Sequence, residues 1–292
     1  MAALAAQIIF GFSFMSTKIS LDYASPMTVI ADRYLVAFFA MTIVMIITGT
    51  KIKLKKGFFK LILMSAFQPL LYFIFETYGI KLTTSAFSSV MISLIPVVSM
   101  VSGIFVLGEI PALKQYIFAA VSVAGVVIMA LEGKSDGTVT AWGIVFLCGA
   151  VISSVAYNIA SRKISSEFTV FERTYAMTVI GMVSFVLIAL AENIKNPVAI
   201  VSSFTNIDYT GAIAYLGIVS SVIAFLLLNY ANTYLPVAKT TMFSNVTMVV
   251  SVSAGIIILK EPFSIEILIS ALMIIAGVIG SQLSGIKAET KP

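Results

Sequence analysis

The chain has no histidine and a single cysteine, Cys148, and these shortages exclude whole classes of function. Without histidine there is no Ser–His or Cys–His nucleophile pair and no imidazole proton relay. A lone cysteine builds neither a disulfide framework nor a thiolate zinc site. Charge is scarce as well: 18 basic and 13 acidic residues make 11% of 292, whereas soluble chains carry about 25%. That is too little to cover a water-facing surface. No P-loop spacing occurs, so ATP would require a separate subunit. The segment Met1 to Gln7 has no basic stretch before its apolar run, which reads as a retained helix rather than a cleaved signal peptide.

Hydrophobic residues fill the space: they make 60% of the chain, and the mean hydropathy is +1.07. A spanning helix needs about 20 mostly apolar residues. Ten stretches qualify: 2–21, 26–48, 58–80, 84–107, 112–132, 140–161, 169–191, 209–233, 236–259 and 264–285. Barrel strands of about 9–11 alternating residues do not fit these runs. Breakers separate them at Ser25-Pro26, Thr48-Gly49, Gly108 to Pro111, Gly133 to Gly137, Asn196-Pro197, Leu235-Pro236 and Glu261-Pro262. No connection is long enough for a soluble domain; the longest runs from Glu192 to Asp208. The expected fold is an all-α integral membrane protein.

The isoelectric point near 9.2 reflects orientation rather than nucleic-acid binding, because the basic residues are held apart by apolar runs. Lys51, Lys53, Lys55, Lys56, Lys60, Lys114, Arg162, Lys163, Arg173, Lys239, Lys287 and Lys291 fall on the side of the 49–60 connection. Lys18, Arg33, Lys81, Lys134, Lys195 and Lys260 fall opposite. The richer side is expected to be cytoplasmic, with both termini inside a cell-membrane protein. The lysine run from Lys51 to Lys60 reads as a solvated loop near lipid headgroups.

Shifting the chain by 152 residues superposes 85–128 on 237–280 with twelve identities. They include Val97-Val98-Ser99 on Val249-Val250-Ser251, Gly103 on Gly255, Glu109 on Glu261 and Gly125 on Gly277. Composition alone gives roughly three or four over such a window. Lys18-Ile19-Ser20 also recurs as Lys163-Ile164-Ser165. The division is 1–136 and 137–286, with a cytoplasmic tail at 287–292. Five spans in each half, an odd number, set the halves in opposite orientations, an arrangement suited to alternating access.

Gly11-Phe12-Ser13-Phe14 with Thr17-Lys18, Pro26 followed by Arg33, Tyr78 to Ser89, Pro96, Gly108-Glu109 and Ala124-Gly125-Val126 form an ordered pattern. Its second copy runs through Tyr230 to Lys239, Lys260-Glu261-Pro262 and Ala276-Gly277-Val278. Over essentially the whole chain this resembles the EamA-type branch of the drug/metabolite transporter superfamily. The resemblance implies ten transmembrane helices in two inverted five-helix repeats and no cofactor. It also implies transport of amino acids or other small metabolites, often export. Two places depart from it: Met248 stands at the counterpart of Pro96, and Arg33 faces Glu172, Arg173 and Thr174.

Polar side chains inside a bilayer are costly unless they meet a cavity or a partner helix. Gln68, Tyr72 and Glu76 share one face of the third span, and Pro69 loosens the helix beside Gln68. Ser13 and Thr17 stand on the first span, with Phe10 on the same stripe. Ser154, Asn158 and Ser161 with Tyr157 stand on the sixth, and Ser221, Asn229 and Asn232 with Tyr230 on the eighth. Ser89 and Ser93 are repeat equivalents of Thr241 and Asn245. The candidate substrate-binding set is Glu76, Tyr72, Gln68, Ser13, Thr17, Ser89, Ser93, Tyr157, Asn158, Asn229, Tyr230, Thr241 and Asn245.

Competing readings stand beside each member. Serines and threonines bond their own backbone; the tyrosines serve as interface or core aromatics; Trp142 anchors at the interface. Ser99, Gly103, Ser251 and Gly255 read as helix packing. Glu76, about 10 Å from mid-span, either binds a substrate ammonium, carries a coupling proton or forms a structural pair with Lys18 or Lys81. Glu109 and Glu261 read as structural, each favouring the dipole of the helix that follows it. Asp32-Arg33 reads as a local pair or a gate contact. An intramembrane enzyme lacks a base beside Glu76. The leading function is a secondary carrier exporting amino acids or related metabolites, its partners being a small solute, the bilayer and a proton. A carrier of cationic or aromatic compounds and a non-transporting scaffold are the alternatives.

Overall fold

The computed structural model describes residues 1–292 apart from 51, 53–56, 108–111, 136–137, 196–197, 199–201, 236–239, 242, 262–263 and 290–292. The expectations resting on Lys51 to Lys56, Glu109, the division at 136/137, Lys239 and the tail fall largely on these and lie outside the described residues. So do the side chains of 103–107, 133–135, 282 and 285–289.

The described residues form helices and no strand. In chain order these are α1 (Ala2–Ser20), α2 (Pro26–Thr48), α3 (Phe58–Lys81) and α4, which is Ser85–Ile92 and, after a bend, Ile95–Leu107. Then come α5 (Leu113–Ser135), α6 (Ala141–Lys163), α7 (Val170–Glu192), α8 (Ile207–Tyr234), α9 (Ser244–Ile257) and α10 (Ile265–Glu289). Eight described helices are long and apolar enough to cross a membrane. The expected ninth and tenth spans contain shorter described apolar stretches, Ser244–Ile257 and Ile265–Ser281. Residues 236–239 and 242, before the first, and the side chains of 282 and 285–289, after the second, lie outside the description.

Local chemistry sets the helix ends. Ser25 accepts from the Thr28 amide and Pro26 opens α2, where a missing N–H costs nothing. Gly49 closes α2 at φ 63°, a left-handed conformation that suits glycine. Thr84, Thr140 and Asn206 cap α4, α6 and α8, and Thr169 forms a reciprocal capping box with Glu172 at α7. The Glu192 to Asp208 connection is not wholly irregular, since Ser203–Thr205 makes a helical turn.

Two helices carry wide, π-type turns. In α3 this is Ala66–Leu71, where Gln68 is extended at φ −147° and ψ 117°. Pro69 supplies no N–H and disrupts the ladder there. In α8 it is Tyr215–Ala224, which no proline marks. The first contributes Gln68 to the wall of the central cavity described below, and the second meets Arg33, another residue of that wall.

Packing joins distant parts of the sequence. α2 lies on α7, α5 on α10, α1 on α8 and α9, α6 on α3 and α4, and α4 on α9. The α5–α10 contact is close enough that a Cβ on Gly277 would lie 2.5 Å from the Ser122 nitrogen and 2.6 Å from the Phe118 oxygen. One core gathers Phe14, Tyr34, Phe73, Tyr157 and Phe225; another gathers α4, α5, α9 and α10 around Val90, Met248 and Ile274. At one end Lys60 pairs with Glu167 at 2.6 Å, bringing together the connections around 49–60 and 163–169. Ser203 and Asp208 instead meet Tyr23, joining the connections around 21–25 and 192–208.

Candidate functional site

A cavity opens where α1, α2, α3, α4, α6, α8 and α9 meet, enclosing about 570 Å³ of empty space including its mouth. Its polar wall comes from Gln7, Ser13, Arg33, Gln68, Tyr72, Glu76, Ser154, Asn158, Thr240, Thr241, Ser244 and Thr247. Phe10, Phe14, Phe73, Ile92, Ile95 and Leu228 supply the apolar part.

Glu76 is 3% exposed. Its Oε1 accepts from the Tyr72 hydroxyl at 2.9 Å, one helical turn below, while Oε2 is buried with no hydrogen-bond partner. Neither Lys18 nor Lys81 pairs with it, which corrects that expectation. Lys18 instead donates to the carbonyl oxygens of Ile80 and Thr83 at 3.0 and 2.5 Å, capping the end of α3. Arg33 is, after Glu76, a second charged side chain in the cavity wall. The two are not joined by an ion pair, and both line the cavity.

Arg33 and its neighbour Asp32 do not pair either. Adjacent residues of a helix project in different directions. Asp32 accepts from the Tyr209 hydroxyl at 2.5 Å, whereas Arg33 donates Nε to Ser221 at 2.7 Å and Nη2 to Ser220 at 2.9 Å. The Arg33 guanidinium lies 4.1 Å from the Phe73 ring centroid, a cation–π contact. The wide turns of α8 present both serines to it. Sequence reading named Arg33 without placing it in the site. Its signal was a permanent charge seven residues inside an apolar run.

Of the sequence-derived candidates, the cavity gathers Ser13, Gln68, Tyr72, Glu76, Asn158 and Thr241. Two more wall atoms, Gln68 Oε1 and Ser244 Oγ, are buried without a partner. Ser244, Gln7, Thr240 and Thr247 were not singled out. Gln7 joins α1 to α9, its Oε1 accepting from Thr247 at 2.6 Å.

The other candidates sit elsewhere. Ser89 and Ser93 donate to Ala86 and Val90 carbonyls of their own helix at 2.8 and 2.6 Å. Tyr157 and Asn229 enter a second polar network away from the cavity. There the Asn229 Oδ1 accepts from Tyr157 at 2.9 Å and from Ser161 at 2.8 Å, and its Nδ2 donates to Thr174 at 3.0 Å. Arg173 completes it by donating to the Ser161 and Asn229 carbonyls, both at 3.0 Å. Thr17 and Asn245 are buried off the cavity wall. Tyr230 is 52% exposed and packs on Tyr234, ring centroids 4.7 Å apart.

Glu261 does not serve the helix that follows it. Its two oxygens accept from the Ser85 and Ala86 amides at 2.7 and 3.0 Å, capping α4 across the sequence. Ser251 donates to the Ser85 carbonyl at 3.3 Å, and Gly255 lies against both Ser85 and Glu261. The position of Glu109, its repeat counterpart, lies outside the described residues.

The cavity therefore offers a buried carboxylate, a guanidinium and uncharged acceptors against an aromatic and aliphatic wall. Among the described residues no three His, Cys, Asp or Glu side chains cluster as a metal site would require. The model of the EamA-like transporter family matches residues 1–131 and again 141–282. An uncharacterized transporter of Bacillus subtilis (strain 168), YcxC, is 31% identical over 297 residues, covering 100% of this chain and 95% of its own. A solved crystal structure shares the fold at TM-score 0.72 and 17% identity, over 99% of this chain and 98% of that one.

Proposed function

The chain belongs to the EamA-like transporter family of the drug/metabolite transporter superfamily, and from that premise we propose a secondary carrier working by alternating access. It exports amino acids or related small metabolites across the cytoplasmic membrane, with both termini inside. The observation that carries this reading is the central cavity holding Glu76, whose Oε2 is buried and unpartnered. A buried carboxylate oxygen without a donor costs several kcal/mol less once a ligand or proton satisfies it, on the order given for unpaired charged groups.

Ten helices in two inverted repeats, 1–136 and 137–286, suit this mechanism, and several observations support them. The family matches the chain in two stretches. Lys18 caps Ile80 and Arg162 caps Asn232, and Ile80 and Asn232 are related by the same 152-residue shift as the sequence repeat. The repeat partners Gly125 and Gly277 both sit in the close α5–α10 contact. Lys60 meets Glu167 at one end, and Tyr23 meets Asp208 at the other, as alternating connections require.

A proton is the coupling ion in this reading, and Glu76 exchanges it for substrate. Flux into proteoliposomes tests the carrier: Glu76→Gln is expected to fold but to lose transport or its dependence on pH. Full flux with unchanged pH dependence removes Glu76 from the mechanism. A carrier of simple cations would use the same carboxylate, but Arg33 in the same wall opposes a monocation.

A further inference from the structure

Two opposite charges in one cavity, not paired with each other, are an unusual arrangement inside a membrane. Were Arg33 and Glu76 present only for stability, direct pairing would be the cheaper arrangement, because each isolated charge is expensive at membrane depth. Instead each is held by neutral groups. Tyr72 donates to Glu76 Oε1, and Ser220 and Ser221 accept from Arg33 while Phe73 lies under the guanidinium. These contacts fix the orientation of both charges without cancelling either.

The two charges suit one small zwitterionic molecule, because both line a single cavity. Phe73, whose ring lies under the guanidinium, and Glu76 are three residues apart on α3, so one turn of that helix holds both charges in place. An α-amino acid carries an ammonium and a carboxylate on one carbon, the two charges that complement Glu76 and Arg33 in the same wall. Of the five guanidinium N–H groups, two are committed to the serines. The rest remain for a carboxylate, which a planar fork binds with directional, charge-assisted hydrogen bonds. Phe14, Ile92, Ile95 and Leu228 line the same void, so the remainder of the solute meets apolar surface.

We propose that Arg33 is the specificity-determining residue of the carrier: the site takes a free α-amino acid with an apolar side chain, Arg33 binding its carboxylate and Glu76 its ammonium. This rests on the carrier reading above and narrows it. Lysine and glutamate are excluded because a second charge would enter the apolar end of the cavity without a partner.

The experiment is a binding and flux panel on the purified full chain with L-leucine, leucinamide, isopentylamine, 4-methylpentanoate, L-lysine and L-glutamate. The wild type is expected to bind leucine at least about 30-fold more tightly than leucinamide or isopentylamine, the fold-change of a lost charge-assisted contact. Arg33→Gln is expected to bring leucine and leucinamide within about threefold of each other. Arg33→Lys, which keeps the charge but loses the fork, is expected to retain a reduced preference. Because the wild-type panel decides without any variant, a poorly folded Arg33→Gln does not shield the proposal. Leucinamide carried as well as leucine, or discrimination unchanged in Arg33→Gln, overturns the assignment of Arg33 and leaves the carrier standing. No binding and no flux for any solute of the panel overturns the assignment alone, because a carrier of other small metabolites would also ignore the panel.

Discussion

Buried polar side chains divide by whether their own backbone can satisfy them. Ser89 and Ser93 each spend their one donor on a carbonyl three residues earlier, and neither lines the cavity. Glu76 has no such option: a carboxylate only accepts, and helix carbonyls offer it no donor. Its hydroxyl donor has to come from another side chain, and Tyr72 at i−4 is in reach. Tyr72→Phe tests that contact with little change in volume. Removing the donor frees Oε1 and lets the carboxylate turn, so substrate binding is expected to weaken about five- to tenfold, near 1 kcal/mol, while thermal unfolding moves little. Binding as tight as wild type in Tyr72→Phe would show that the hydroxyl does not position Glu76.

The helices themselves were legible in the sequence, because runs of about 20 apolar residues and capping residues such as Ser25, Thr140 and Thr169 are local signals. The break in α3 was legible too, since Pro69 announces it. What the sequence hid depends on partners far along the chain. Asp32 and Arg33 look like a pair when read by adjacency, yet they meet Tyr209 and Ser220–Ser221, which only folding brings near. Glu261 reads as a dipole residue for the next helix and instead caps one 175 residues earlier. Gly125 and Gly277 were visible as repeat partners, and their contacts now give them a magnitude. In Gly277→Ala the new Cβ would meet Ser122 N at 2.5 Å and Phe118 O at 2.6 Å, backbone atoms that move only if α5 and α10 separate. The expected loss is about 1–3 kcal/mol, measured by thermal or denaturant unfolding in detergent. Gly211, inside a helix with nothing within 4 Å of its Cβ position, supplies the control, and Gly211→Ala is expected to cost nothing and to stabilise by up to about 1 kcal/mol.

At the scale of the whole molecule, alternating access demands that something joining the two proposed halves come apart and re-form in each cycle. The contacts of α4 with α9 and the connection after it are the best-defined set. Glu261 accepts two amides of α4, Ser251 donates to Ser85, and Gly255 lies against Ser85. The Glu261 bonds are charge-assisted, yet every one of these contacts is a hydrogen bond or van der Waals approach that thermal motion can reverse, and none is covalent. A covalent tie at the same place therefore separates stability from turnover. A Cβ on Gly255 would sit 3.0 Å from the Ser85 Oγ, close enough for the pair Ser85→Cys with Gly255→Cys to form a disulfide. Its 2.5 Å approach to Glu261 Oε2 is relieved by rotating a flexible side-chain end. With Cys148 replaced by serine, the chain contains no other thiol. Oxidation is expected to stop flux in proteoliposomes by more than tenfold while the cavity still binds solute, and reduction is expected to restore transport. If α4 and α9 stay together throughout the cycle, the oxidised double variant will carry solute at the reduced rate, and the halves must then exchange access without parting here.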